Sequence, residues 1–141
     1  MRKLISLRTN ERGAAAIEMA IGVPVLAVFL YGIFQVGVAF QASSGMQHAL
    51  GEGARYATLC INPTATGCSS PSNAQIQQRI NDKVFGTGVG IFSQPTVTNG
   101  PTGSGYKTLS VTFTMGTNFL LFEGPDITMT RTKRVYVAGG V

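Results

Sequence analysis

The chain has 141 residues, enough for one packed domain and too few for two with separate cores. Charged residues make up only 12% of it, about half the usual share, and much of its +5 net charge falls in the first thirteen residues. No basic stripe with interleaved aromatics follows, which excludes nucleic-acid binding as the main reading.

Residues 1–13 form a polar leader in which Arg2, Lys3, Arg8 and Arg12 outweigh Glu11. Residues 14–59 read as one long helix. No Asp, Glu, Lys or Arg lies between Met19 and Gly51, and the 22 residues 19–40 hold one strongly polar member, Gln35. At about 1.5 Å per residue, that length crosses a hydrocarbon core of about 30 Å. The membrane span is set at about 17–40. By the positive-inside tendency the leader stays cytoplasmic and everything after Phe40 faces outward. Pro24, inside the apolar part, predicts a kink. In the second half Phe40, Met46, Leu50 and Tyr56 lie near helical spacing, while Gly45, Gly51 and Gly53 each weaken a helix by about 1 kcal/mol relative to Ala.

The outward part is 60–141. "NPTATGCSSPS" within 61–72 is a loop by composition. In an oxidising compartment Cys60 and Cys68 can close it with a disulfide, worth roughly 2.5 kcal/mol in the chain-entropy picture; two free thiols are the alternative. Two Cys and the distant His48 are too few ligands for a metal, and no cofactor is implied. Asn73 is expected to cap a short helix over 73–85, with Ile76, Ile80, Val84 and Phe85 on one face. From Gly86 the period changes to two. "SQPTVT" is a short strand and "NGPTGSG" a turn-rich link. "YKTLSVTFTM" alternates Leu109, Val111, Phe113 and Met115 against Thr and Ser, and "DITMTRTKRVYV" begins the same way. Between them, "GTNFLLFEGP" reads as a short buried turn of helix, or else as an exposed apolar contact with the membrane surface or a neighbouring subunit. Three strands with one apolar face need helices as cover. The fold class is therefore α+β: a long N-terminal transmembrane helix, then a small outward-facing domain with a short helix and a roughly three-stranded antiparallel sheet.

Catalysis finds little footing. His48, Glu52, Asp82, Glu123 and Asp126 form no paired carboxylates and no nucleophile triad, and "GTGVG" at 86–90 lacks the P-loop lysine. The chain is read as no enzyme and as having no small-molecule substrate. Glu18 is the informative acid. A carboxylate at the membrane centre costs about 2.5–3.5 kcal/mol, less near the interface, and persists when something offsets that cost. A cut between Gly13 and Ala14 would free an amine, cationic at neutral pH, one helical turn before Glu18. Glu18 could neutralise that amine or a neighbour's, and in the second case would set the axial register between helices.

"RGAAAIEMAIGVP" resembles the cleavage region of class III-type prepilins and pseudopilins, with a basic leader ending in Gly and Glu at the fifth mature position. Gly53-Ala54-Arg55-Tyr56-Ala57 in "HALGEGARYATL" resembles the conserved patch of TadE-like proteins, pseudopilins of the Tad (tight adherence, Flp-type) pilus machinery. The resemblance covers about residues 12–59, with Pro24 and Gly32 in their usual places. It implies prepilin-peptidase cleavage at Gly13/Ala14 and a processing or assembly role for Glu18. The implied location is the inner membrane, with the C-terminal domain periplasmic or extracellular, or within the pilus. The implied partners are the prepilin peptidase, the major pilin, a companion pseudopilin, the membrane platform and the lipid bilayer. Met19 stands where such pilins often carry Tyr or Phe, and Gln35 where many relatives carry an acid. With 83 residues beyond Thr58, these departures point to a minor, tip or initiation role. In the patch, Glu52 and Arg55 form a weak i,i+3 pair. Gly51, Gly53, Ala54 and Ala57 suggest close approach of the outward domain or a subunit contact.

A second reading makes the first 44 residues an ordinary signal segment cut after "QASS", leaving a secreted or single-pass membrane-anchored adhesive protein. Its apolar run is longer than the usual 7–15 residues and opens with an acid.

Overall fold

A computed structural model describes residues 11–64, 67–86, 88–119 and 122–137. Leader residues 1–10, Leu120 and Leu121 lie outside the described residues, as do the side chains of Cys68, Phe119 and Phe122, on which parts of the sequence reading fell.

Helix α1 (Glu11–Ala57) is continuous over 47 residues and passes through Pro24. It starts three residues earlier than the sequence indicated and ends two earlier. The end has a local cause: Thr58 and Leu59 donate to the carbonyls of Arg55 and Tyr56 at 3.2 and 3.0 Å, tightening the last turn to an i,i+3 pattern. Strands β1 (Asn62–Thr64) and β2 (Gly67–Ser69) then pair as a small antiparallel ribbon inside the segment expected to be a plain loop. No free cysteine occurs among the described residues.

Helix α2 (Asn73–Asn81) is capped by Ser72, one residue before the expected Asn73. The reason is the Ser-x-x-Gln spacing. Ser72 Oγ accepts from the Gln75 backbone, and Gln75 Oε1 accepts from the Ser72 backbone at 2.9 Å, closing a capping box. At the other end Asp82 terminates the helix and accepts from Gln78 Nε2 at 2.9 Å. Phe85 therefore lies beyond the helix and is exposed; Ile76 and Ile80 are fully buried.

The main sheet contains β3 (Ile91–Phe92), β4 (Thr96–Asn99), β5 (Tyr106–Met115) and β8 (Ile127–Tyr136), all antiparallel. β5 is central. β8 runs along one side of it for ten residues, and β4 and β3 share the other side end to end. This adds β3 to the three strands expected. "GTNFLLFEGP" is not a helical turn: β6 (Asn118–Phe119) and β7 (Phe122–Glu123) pair as a short antiparallel ribbon between β5 and β8.

The core follows from the two periodicities. Leu109, Val111, Phe113 and Met115 of β5 point to one side and are buried, as the alternation predicted. Facing them on α1 are Val38, Ala42, Met46, Ala49, Gly53 and Ala57, at intervals of three and four residues. Phe40, near helical spacing with Met46 and Leu50, is off this stripe and 72% exposed. Lys107 extends the buried row of β5. Its Nζ donates to Asn73 Oδ1 at 2.8 Å and to the Pro71 carbonyl at 3.2 Å, so the start of α2 is pinned to the sheet. Asn73 also donates to Asn99 Oδ1 at 3.0 Å, which is what it does in place of capping.

Burial holds the Lys107 amine below its ordinary pKa of 10.5. The unfolded chain then binds that proton more tightly, so stability contributed at this site rises as pH climbs from the depressed value towards 10.5. Urea unfolding of the full chain in detergent should show a midpoint that increases over that window, with the increase reduced in Lys107→Met.

Candidate functional site

Two parts of α1 carry the residues that the sequence singles out. From Gly13 to Leu26 every residue is exposed, and none from Gly13 to Phe34 is buried. Ile17, Ile21, Val25, Phe29 and Ile33 are each more than half exposed. Leaving apolar surface in water forfeits about 25 cal/mol per Å², so this half of the helix calls for lipid or for other helices. It is long and apolar enough to cross a membrane.

Glu18 opens a shallow furrow on that surface, with Ile21, Gly22, Val25 and Phe29 below it on the same face. The one ion pair among the described residues is Glu52–Arg55. Glu18 thus meets no cation there. In the uncut chain α1 begins at Glu11 and runs unbroken across the Gly13–Ala14 junction. With Ala14 as the first residue, the positive end of the helix dipole would lie one turn from Glu18.

The second part, Gly53 to Ala57, divides by face. A Cβ on Gly53 would run into Ile80 Cγ1 and lie 3.3 Å from Leu109 Cδ2, so α1, α2 and β5 meet here at a distance only glycine allows. Ala54 and Ala57 are buried beside it. Arg55 points outward, its side chain 82% exposed, 3.2 Å from Glu52. Tyr56 lies under Arg79, whose guanidinium is 6.0 Å from the ring centre. Glu52, Arg55, Tyr56 and Arg79 line a shallow polar cleft. Close approach of the globular part is therefore what the small residues provide; a pair such as Arg55–Glu52 contributes a few tenths of a kcal/mol.

Three contacts were missed in sequence. Gln35, buried to 7%, donates from Nε2 to the Asn118 carbonyl at 2.9 Å. Its isolation in an apolar run was a signal, but its partner is 83 residues away. Gly45 brings α1 against the backbone carbonyl of Phe85 so closely that a Cβ would overlap it. Arg131 Nη2 donates to Ser43 Oγ at 3.0 Å, joining β8 to α1. His48 is exposed and packs edge-on against Phe85, with ring centres 5.8 Å apart. No group of three His, Cys, Asp or Glu occurs among the described residues.

A half-bare apolar helix whose other half is built into a small α+β domain defines a membrane-associated protein with a surface reserved for lipid or helix contact. Residues 13–55, most of this helix, match the family model described as TadE-like protein. The match ends inside α1. No curated protein and no solved structure matches the chain.

Two neighbouring glycines test the packing. A Cβ on Gly51 would meet only Lys133 Nζ, at 4.0 Å. Gly51→Ala should stabilise the fold by up to about 1 kcal/mol through helix propensity. Gly53→Ala should instead destabilise it by about 1–3 kcal/mol through overpacking on Ile80 and Leu109. Thermal unfolding of both variants in detergent gives opposite shifts.

Proposed function

We propose that the protein is a minor pseudopilin of a Tad-type pilus, cut between Gly13 and Ala14 and used in assembly, serving adhesion or secretion. The observation that carries this reading is Glu18, with no cation beside it among the described residues, on the exposed apolar half of a helix whose residues 13–55 match the TadE-like family model. Cleavage frees an amine that an acid on a neighbouring helix can meet. Gly22, one turn further on, leaves room beside it for close helix contact. The charge pair fixes how far one helix slides along the next, and the furrow from Ile21 to Phe29 supplies apolar contact. The prepilin peptidase, the major pilin, a companion pseudopilin and the membrane platform are the partners that this requires. The leader stays cytoplasmic, and the C-terminal domain faces the periplasm or exterior, its 61–69 ribbon closed by a Cys60–Cys68 disulfide.

A signal-segment cut near Gly45 would strip Gln35, Val38 and Ala42 from the packed face of α1. That weighs against the secreted alternative, since the domain would lose part of its own core.

Protein from the native host should begin at Ala14 on N-terminal sequencing. Glu18→Ala should abolish piliation while the protein remains in the membrane fraction. A native chain that retains its leader, or a piliated Glu18→Ala strain, would overturn the assignment.

A further inference from the structure

The face of β8 that carries Ile127 changes character along its length. Ile127 and Met129 are apolar and half-buried; Arg131 and Lys133, the next two residues on that face, are cationic and exposed. The strand rises beside α1 in the same sense as the helix. Ile127 and Met129 share a groove with Val36 and Ala39, Arg131 donates to Ser43, and Lys133 Nζ lies 4.0 Å from where a Cβ on Gly51 would stand. The groove, of about 410 Å³, is thus apolar below and polar above, where Arg131 stands with Ser44 and Gln47.

Its level matches the end of the apolar run. α1 is apolar through Phe40, which also lines the groove and is 72% exposed. At 1.5 Å per residue, Val36 lies about 6 Å inside that end and Ser43 about 4.5 Å beyond it. Headgroup layers add about 5–7 Å on each side of the hydrocarbon core. With α1 across a bilayer, the lower part of the groove meets acyl chains and Arg131 meets headgroups.

The charges favour an anion there. Ser43 Oγ accepts from Arg131 Nε at 3.3 Å and from Nη2 at 3.0 Å, which fixes the guanidinium and leaves Nη1 without a partner among the described residues. Neither Arg131 nor Lys133 is ion-paired; the one such pair among the described residues is Glu52–Arg55. The acid nearest in sequence, Asp126, precedes β8 and does not line the groove. A phosphate can take the free side of the guanidinium. A second copy's helix offers no such charge. α1 has no Asp or Glu between Met19 and Gly51, so a parallel helix at the same level would leave both cations unmatched.

We propose that this groove binds an anionic phospholipid of the bilayer crossed by α1. Its phosphate sits on Arg131, with Lys133 above, and an acyl chain lies along Val36, Ile127 and Met129. The inference rests on α1 spanning the bilayer, as the proposed function has it. It adds a defined lipid contact at the junction of helix and domain.

The chain has no tryptophan, so single-tryptophan variants of the full chain report their lipid neighbours. The vesicles are equimolar phosphatidylcholine and phosphatidylglycerol, with one lipid or the other brominated on its acyl chains. Phe40→Trp, in the groove, should be quenched about fivefold more by brominated phosphatidylglycerol than by brominated phosphatidylcholine. Phe34→Trp, about 120° round the helix from Phe40, should be quenched equally by both. Arg131→Gln should cut the preference at Phe40→Trp by about half or more, and Arg131→Lys should keep most of it. Where Arg131→Gln disturbs folding, Lys133→Gln, which leaves the Ser43 contact in place, should lower the preference as well. Equal quenching of Phe40→Trp by the two lipids would overturn the site and leave the spanning helix intact. So would a preference that both Arg131→Gln and Lys133→Gln leave unchanged. Phe40→Trp unquenched while Phe34→Trp is quenched, meaning that a second copy fills the groove, would also overturn it. Quenching of neither would overturn the site and the spanning helix together.

Discussion

The structure depends on one helix serving two environments. Above Gln35, α1 offers Val38, Ala42, Met46, Ala49, Gly53 and Ala57 to the sheet; below it, no described residue of the helix is buried, and from Gly13 to Leu26 all are exposed. The domain cannot be separated from its anchor without removing one wall of its core. That differs from a tethered domain, whose linker can be cut with little effect on folding. Any force on the membrane half passes directly into the packing of Met46 against the sheet.

Closeness at the helix–domain contact comes from missing side chains. Gly45 against the Phe85 carbonyl and Gly53 against Ile80 let backbone and side chains approach nearer than Ala would permit. Each costs the helix about 1 kcal/mol in propensity, offset by burying Ile80, Leu109 and Phe113 completely. Lys107 plays a complementary part at the top of the same face, tying Pro71 and Asn73 to β5. The sequence places glycines and a lysine where a core would ordinarily want neither. Both make sense only once the partner across the gap is known.

That distinction also separates what was readable in sequence from what was not. The long apolar helix followed from the gap in charge between Met19 and Gly51, and β5 from strict alternation of Leu109, Val111, Phe113 and Met115, because both signals are local. The cap at Ser72 was misassigned to Asn73 because both residue types cap helices; Gln75, three residues after Ser72, decides between them. β3, β6 and β7 have two residues each and so carry no period at all. Phe40 lies near helical spacing with Met46 and Leu50, but the buried stripe runs through Val38 and Ala42. Glu18 stands out in sequence because a lone acid in an apolar run is conspicuous; its role is part of the proposal. The partner of Gln35 was not legible, since no local pattern points across 83 residues.

Among the described residues β8 has no strand on its outer side, and along it Arg131, Lys133 and Arg134 are all exposed. Backbone groups on such a margin invite another strand, and like charges directly opposite one another disfavour it. Molecules confined to a bilayer plane collide far more often than in dilute solution, and always in similar orientation. For sister chains meeting side by side, this cationic margin discourages sheet-to-sheet fusion, leaving encounters between them to the bare helices.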